Sequence, residues 1–163
     1  MPILRSRHCL AAGTLLLAAA MSAPAMATEP RGSDKQTIRL SLENTSRFGN
    51  FGNQVPGAEF GSTSNAFREP EHRAFGTFGI QCTVLRATRT EATTQCVGTF
   101  DTPHGQITTQ GIKTRPAGAP PGDFDQAITG GTGRYRRAAG FVTISASAPG
   151  GDDTAVLHIV KLR

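Results

Sequence analysis

Hydrophobic and polar residues alternate with a period of two in several short stretches of the chain. The first stretch is 37–44, where Ile38, Leu40 and Leu42 share one face and polar residues share the other. This period is typical of a β-strand with one buried face. No stretch of about 12 residues shows the periodicity of a helix. The pattern therefore indicates an all-β fold, either an antiparallel barrel or a sandwich. Five further strands are predicted at about 75–86, 93–101, 105–113, 140–147 and 154–162.

A cluster of glycines marks a turn before the predicted strand at 140–147. Gly130, Gly131 and Gly133 fall within four residues, and glycine readily adopts the positive φ angles that tight turns need. Tyr135, the one tyrosine of the protein, follows directly. The stretch therefore predicts a strand, a glycine turn, an aromatic plug and a further strand.

The glycine turn does not fit the phosphate-binding motifs. In a dinucleotide-binding fingerprint that uses Gly131 and Gly133, the third glycine position is Arg136. A P-loop requires Lys-Ser or Lys-Thr after its last glycine, where this chain has Arg134 and Tyr135. The following residues alternate as in a strand and do not open a helix. A nucleotide site is therefore not predicted.

The first 27 residues have the pattern of a cleaved export signal. Arg5 and Arg7 form a basic start, residues 10–20 are a short apolar run, and residues 25–27 read Ala-Met-Ala, a cleavage site. The apolar run is about half of the roughly 20 residues that a membrane span requires, so stable membrane insertion is not predicted. The expected location is secreted or periplasmic.

The mature chain is predicted to be one domain with a mild positive charge. Removal of residues 1–27 leaves 163 − 27 = 136 residues, with a flexible N-terminus at 28–36 and one β domain at 37–163. Arg5 and Arg7 leave with the signal, so 17 − 2 = 15 basic residues face 12 acidic ones, a balance of +3. A nucleic-acid partner would require a broader basic stripe with stacking aromatics, so none is predicted.

The two cysteines that remain after export, Cys82 and Cys96, are predicted to form a disulfide. Export places them in an oxidising compartment, and directly opposed residues of an antiparallel pair are within disulfide reach. A register that sets the cysteines opposite each other also pairs Phe78 with Phe100. The hairpin turn then falls at 87–91, which is polar.

Residues 46–72 show no regular alternation and are rich in glycine, asparagine and serine. Recurrent phenylalanines suggest a loop that packs over the domain. The segment is interpreted as a lid across a cavity mouth, as a loop anchored in the core without a function, or as a disordered linker. Its phenylalanines are Phe48, Phe51, Phe60 and Phe67.

Few side chains offer reactive chemistry. His72, His104 and His158 are far apart in the sequence and no Cys-x-x-Cys pair is present, so no metal site is predicted. The catalytic candidates are the carboxylates of Glu43 and Asp101 and the imidazole of His158, which shares a strand face with apolar residues. The alternatives are that aspartate caps a turn and that the histidine is a hydrogen-bonded core residue. The apolar residues on the histidine's face are Val156, Val160 and Leu162.

The glycine stretch resembles the signature of the allene oxide cyclase and dirigent superfamily. The shared pattern is Gly-Gly-Thr-Gly-x-aromatic at 130–135, then Ala-x-Gly at 138–140 and a strand. The dirigent pattern commonly reads Ala-Arg-Gly where this chain has Ala-Ala-Gly, so any role of that arginine is absent or moves to Arg136 or Arg137. The resemblance covers about residues 73–162. Weaker matching segments occur in the expected order at 73–78, 96–100 and 104–111.

The resemblance implies a single antiparallel β-barrel of about eight strands that binds a hydrophobic small molecule. Members of this superfamily steer cyclisation or radical coupling by holding one reactive conformation in a dry cavity, without a cofactor. Relatives form trimers, so the resemblance also implies a homo-oligomer. The residues predicted to contact the ligand are Phe78, Ile80, Phe100, Tyr135 and Arg136.

Three functions remain open at this point. The first is an exported barrel that binds an apolar small molecule and steers its cyclisation or coupling, and an open cavity with an inward catalytic candidate would favour it. The second is a non-enzymatic structural or interaction module, which a barrel filled by Phe78, Phe100 and Tyr135 would favour. The third is a hydrolase with two carboxyl groups facing each other across a cleft.

Overall fold

The structure is a computed structural model, and it describes residues 34–49, 52, 55–117, 119, 122–147 and 151–161. The predicted export signal lies outside these residues. A short 3-10 turn, Gly133–Tyr135, comes between the sixth and seventh strands. The strands are β1 (Asp34–Gly49), β2 (Glu59–Arg68), β3 (Arg73–Ala87), β4 (Glu91–Thr102), β5 (Gly105–Pro116), β6 (Phe124–Gly131), β7 (Ala138–Ser145) and β8 (Asp153–Lys161).

The eight strands form a closed antiparallel barrel. Each strand pairs with the next one in the sequence, and β8 pairs with β1 to close the sheet. Closure removes the unpaired edges that an open sheet would expose. The prediction of an all-β antiparallel barrel of about eight strands is confirmed.

The alternation in the sequence becomes the division between the inside and the outside of the barrel. On β1, Ile38, Leu40 and Leu42 are at most 2 % exposed, whereas Arg39 between them is exposed. Burial of each such aliphatic side chain contributes roughly 1.5–3 kcal/mol, which stabilises this register over a one-residue slip. The inner residues of β8 follow the same rule and are Ala155, Leu157 and Ile159.

The segment 46–72 contains a strand that its sequence does not reveal. β1 continues to Gly49, and β2 occupies 59–68. The inner positions of β2 include Ser64 and Ala66, which are 2 % and 1 % exposed, so burial is present without hydrophobic alternation. The interpretation of the whole segment as a lid or linker is therefore wrong for its strand portions.

The predicted pairing of β3 with β4 is confirmed. Cys82 lies opposite Cys96 and the two form a disulfide. Phe78 lies opposite Phe100, and the ring centroids are 4.3 Å apart. β3 ends and β4 begins within the predicted turn at 87–91. A cross-link that closes a loop of about 15 residues stabilises the fold by about 3 kcal/mol in the chain-entropy account.

The glycine turn closes the end of the barrel at which β6 ends. The N–H of Arg134 donates to the carbonyl of His104 at 2.8 Å. Gly133 has φ of +53°, and a Cβ there would lie 2.4 Å from the same carbonyl, so only glycine permits this approach. Tyr135 is 4 % exposed and packs within the main core cluster. The predicted turn and aromatic plug are confirmed.

Gly140 provides a test of the close approach between β7 and β8. Its φ is +123°, and an added Cβ would lie 1.9 Å from the carbonyl oxygen of His158. We expect Gly140→Ala to lower the free energy of unfolding by about 2 kcal/mol or more, because the strand must shift and the backbone is strained. Urea denaturation measures the change.

Gly79→Ala is the matched control, since nothing lies within 4 Å of a Cβ built at Gly79. We expect its effect on the free energy of unfolding to stay within about 0.5 kcal/mol. Equal destabilisation by the two substitutions would contradict the packing described for Gly140.

Candidate functional site

A cavity of about 400 Å³ opens inside the barrel near the ends of β1, β3 and β6 that carry Arg47, Cys82 and Phe124. The space exists because inner positions at this level carry small residues, among them Ser62 and Ser64 on β2. Deeper in the barrel, large buried side chains such as Phe100 and Leu157 fill the interior. The apolar wall of the cavity consists of Phe60, Phe78, Ile80, Phe124, Ile144 and the Cys82–Cys96 disulfide.

Basic side chains of β1 and β5 also line the cavity. Lys113 donates from Nζ to the carbonyls of Gly122 at 2.7 Å and Asp123 at 2.9 Å. The same ammonium lies 5.2 Å from the centroid of the Phe124 ring, a cation–π contact that adds to its anchoring. The other two basic residues of the lining are Arg47 and Arg115.

The pKa of Lys113 is lowered from its ordinary value of 10.5. Partial burial is the main cause because it disfavours the ammonium form, and the neighbouring positive charge of Arg115 acts in the same direction. The negative charge of Asp123 opposes both effects. Lys113 therefore releases its proton more readily than a solvated lysine does.

Asp153 is the one carboxylate among the described residues that line the cavity. It begins β8 in phase with the inner residues of that strand. Its Oδ1 accepts hydrogen bonds from the backbone N–H of Ser147 at 2.8 Å and from the hydroxyl of Ser147 at 3.3 Å. Its Oδ2 accepts one from Nδ2 of Asn44 at 3.4 Å, and Oδ1 of Asn44 accepts one from the Ser64 hydroxyl at 3.4 Å. These bonds hold the carboxylate in a fixed orientation.

The sequence contains a signal for Asp153 that depends on knowing the inner face of β8. Asp153 follows Gly-Gly-Asp in the sequence, a composition typical of turns, and aspartate in a turn is ordinarily a backbone cap. Counting back by twos from Leu157 and Ala155 reaches Asp153, so the period of the strand places it inward.

The five predicted ligand-contacting residues do not meet at one site. Phe78 and Ile80 line the cavity. Phe100 has no exposed surface and packs behind Phe78. Tyr135 lies at the opposite end of the barrel, where it lines a second opening. Arg136 is exposed and lines neither opening.

The three predicted catalytic residues lie on the outside of the barrel, so none of them is the inward candidate that would favour the first function. Glu43 faces outward because the neighbouring Leu42 of β1 occupies an inner position, and its carboxylate lies 3.2 Å from Nε2 of His72. Asp101 is exposed beside the buried Phe100. These positions leave none of the three in contact with the cavity.

His158 also faces outward, because its strand buries the residues on either side of it. The inner positions are Leu157 and Ile159, so the apolar face that His158 shares with Val156 is the outer face of the barrel. The imidazole stacks on the ring of Phe141, with centroids 4.5 Å apart.

The geometry defines a class of protein, a closed antiparallel β-barrel with an internal cavity of ligand size. The sequence model of a family described as the allene oxide cyclase barrel like domain matches residues 37–156. The chain therefore belongs to the allene oxide cyclase barrel like family. A comparison with curated proteins gives no significant match.

Solved structures with the same fold have diverse names. A pyocyanin demethylase is 23% identical with a TM-score of 0.63, and the alignment covers 76% of this chain and 99% of that one. The exo-specific intermolecular Diels-Alderase AbnU is 11% identical with a TM-score of 0.62, covering 77% and 98%. The pterocarpan synthase dirigent protein PsPTS1 is 13% identical with a TM-score of 0.53, covering 81% and 96%. At these identities the similarity concerns the fold.

The described residues contain no helix with the length and hydrophobicity required to cross a membrane.

The proton affinity of Lys113 provides a test of the cavity's electrostatics. We expect its NMR titration midpoint to lie below 10.5, since burial and Arg115 both lower the pKa. Because the folded-state pKa is below that of the unfolded chain, the unfavourable contribution of Lys113 to stability is present at neutral pH. It is relieved as the pH rises through the folded-state pKa toward 10.5.

Two substitutions should move this midpoint in opposite directions. Arg115→Gln removes a repulsive charge and should raise the pKa of Lys113, whereas Asp123→Asn removes an attractive charge and should lower it further. An unchanged midpoint in both variants would show that these charges do not act on Lys113.

Proposed function

We propose that this protein binds an apolar small molecule in the cavity and steers its cyclisation or coupling without a cofactor. The observation that carries the proposal is the unfilled cavity of about 400 Å³ with its aromatic and aliphatic wall. This volume falls within the range of about 300–1,000 Å³ that is usual for small-molecule sites. Phe100, Ile107 and Leu157, which have no exposed surface, fill the barrel interior beyond this cavity.

The lining supports a ligand with an apolar body and a polar group. Phe60, Phe78 and Phe124 offer a surface on which flat or aliphatic groups are desolvated. The hydroxyls of Ser62 and Thr94 and the charged side chains of β5 and β8 offer hydrogen bonds that fix orientation. A few polar groups in an apolar enclosure restrict a bound molecule to a small number of conformations.

Restriction of conformation is sufficient to accelerate an intramolecular ring closure. Fixing two reacting atoms near attack distance supplies up to roughly 7–11 kcal/mol of the barrier in well-oriented systems. The names of the structural neighbours AbnU, an intermolecular Diels-Alderase, and PsPTS1, a pterocarpan synthase dirigent protein, support cyclisation or coupling in a barrel of this fold. The rigid barrel provides the required fixed walls.

Asp153 is the group that we propose for orienting the ligand or accepting a proton from it. Its two oxygens are held by Ser147 and Asn44 and it lines the cavity. With Asp153 as the one carboxylate among the described lining residues, a two-carboxylate hydrolase has no support there. Glu43, Asp101 and His158 would act only at the outer surface.

Export and self-association remain predictions. The Cys82–Cys96 disulfide supports export, because such bridges persist in oxidising compartments. Val97 and Ile112 are 51% and 64% exposed on the outer faces of β4 and β5, which supports the homo-oligomer that the family resemblance implies.

The binding proposal is tested with protein recovered from expression of the full chain. The protein is incubated with a lipid and phenolic extract of the producing culture, and native mass spectrometry measures the bound mass and the subunit number. Pyocyanin is included as a pure probe, because it is named for a structural neighbour. We expect retention of at least one apolar small molecule per chain.

Ser62→Phe tests whether the retained molecule occupies the cavity. Ser62 lines the cavity on β2, so a phenyl group there fills part of the space and should weaken binding about ten-fold or more. Asn65→Phe is the control, since Asn65 is exposed on the same strand. Equal binding by both variants, or a protein that retains nothing, would exclude the cavity as a ligand site and leave the non-enzymatic module.

Asp153→Asn tests the proposed role in the reaction of the identified ligand. The amide keeps the size of the side chain and an oxygen that accepts from Ser147, but it loses the negative charge. We expect ligand affinity to change less than about three-fold and turnover to fall about 100-fold, the lower range for loss of a proton acceptor. Asp152→Asn, at an exposed neighbouring residue, is the control. Equal turnover in both variants would exclude Asp153 from the reaction.

A further inference from the structure

The end of the barrel opposite to the cavity has a second opening, of about 330 Å³, lined by three arginines. Arg68 ends β2, Arg73 begins β3, and Arg134 belongs to the glycine turn. No acidic side chain occurs among the described residues that line this opening. Three positive charges from three separate elements therefore surround one small volume.

The strand register brings two of these charges together. Arg68 and Arg73 are directly paired between β2 and β3. Opposed residues of an antiparallel pair have Cα atoms about 4.5–5.5 Å apart. Like charges in this arrangement destabilise the pair unless a counter-charge lies between or beside them.

The glycine turn adds the third charge. The backbone bond from Arg134 to the carbonyl of His104 ties the turn to the hairpin between β4 and β5. The close approach of Gly133 to that carbonyl fixes the turn in place. The motif that the sequence singles out therefore positions Arg134, together with the buried ring of Tyr135, at the rim of the opening.

Protein groups do not supply the missing counter-charge within the described chain. None of the three arginines forms an ion pair with a carboxylate whose side chain the structure describes, since the ion pairs among those side chains join other residues. Glu69, which follows Arg68 directly, is 3.6 Å from His72. The guanidinium of Arg68 is 5.3 Å from the centroid of the Phe75 ring, a contact that orients the group without neutralising it.

We propose that this opening binds a phosphate-type oxyanion, independently of the proposed function of the cavity. Guanidinium groups form bidentate, charge-assisted hydrogen bonds with phosphate oxygens. A doubly charged anion compensates three arginines better than a singly charged carboxylate does. Gln36, His104 and Tyr135 line the same opening and add polar groups for the remaining oxygens. The bound oxyanion is either inorganic phosphate or the phosphate group of a small phosphomonoester.

The protein contains an intrinsic probe for this site. It has no tryptophan and one tyrosine, which is Tyr135. Tyrosine fluorescence of protein from the full chain therefore reports on the opening itself. Titration with sodium phosphate, with ionic strength held constant by sodium chloride, should give a saturable change, and calorimetry should give the same dissociation constant. Glycerol phosphate in place of phosphate distinguishes the two sources, and acetate tests the charge requirement.

Arg134→Gln and Arg73→Gln test the arginines. Each should weaken phosphate binding about ten-fold or more, because one charge-assisted contact is lost. Arg89→Gln removes the same charge from the exposed hairpin turn between β3 and β4 and should leave binding unchanged within about two-fold. Phosphate should raise the melting temperature of the wild type and of Arg89→Gln. It should raise the melting temperatures of Arg134→Gln and Arg73→Gln much less.

A stability measurement without phosphate separates a binding role from a structural one. Arg73→Gln relieves the like-charge pair with Arg68 and should be at least as stable as the wild type in phosphate-free buffer. Loss of stability there would show that Arg73 supports the fold. Equal weakening by Arg89→Gln, or no saturable response of the wild type, would overturn the proposal.

Discussion

Closure of the sheet between β1 and β8 is the constraint on which the other features of this protein depend. Once the sheet is closed, each strand has one face toward the interior and one toward solvent, and a shift of one residue in any strand would exchange them. Leu40 and Leu157 point inward for this reason, and His158 points outward for the same reason. The chemistry available to a bound molecule is set by this parity.

The size of the inward side chains divides the barrel into a packed half, whose outer end carries the second opening, and an open half that contains the cavity. Around Phe100 and Ile107, which have no exposed surface, aromatic and aliphatic groups fill the interior. Around Ser62 and Ser64, the inward side chains are too short to fill the barrel interior. The packed half keeps the walls rigid, and rigidity is what a site needs if it acts by fixing the conformation of its ligand.

The sequence predicts most of the strands because its strongest signals are local, whereas the choice of a barrel over a sandwich follows from the resemblance of the glycine stretch to a known family. Alternation defines β1 and β8, and the register that joins Cys82 to Cys96 follows from two adjacent strands. β2 is missed because Ser62 and Ser64 are inner residues without hydrophobic character. Such residues carry no signal until the neighbouring strands show which face is inside.

The site is less predictable than the strands, because the sequence alone does not show which face of a strand points into the barrel. Glu43 and Asp101 are reactive side chains on strands, but their chemistry alone does not indicate the face to which they belong. Asp153 resembles an ordinary turn residue until the phase of β8 is known. The charged opening also escapes the sequence, because Arg68, Arg73 and Arg134 meet only through strand pairing and the fold of the glycine turn.

The disulfide is both a cross-link and a part of the cavity wall. A chain whose Cys82 and Cys96 are still thiols presents a different surface to the cavity. Ligand affinity and the reduction equilibrium are then linked, and the linkage is reciprocal. If a molecule binds more tightly when the disulfide is formed, its binding shifts the thiol–disulfide equilibrium toward the disulfide. The two factors, in affinity and in the equilibrium constant, are equal.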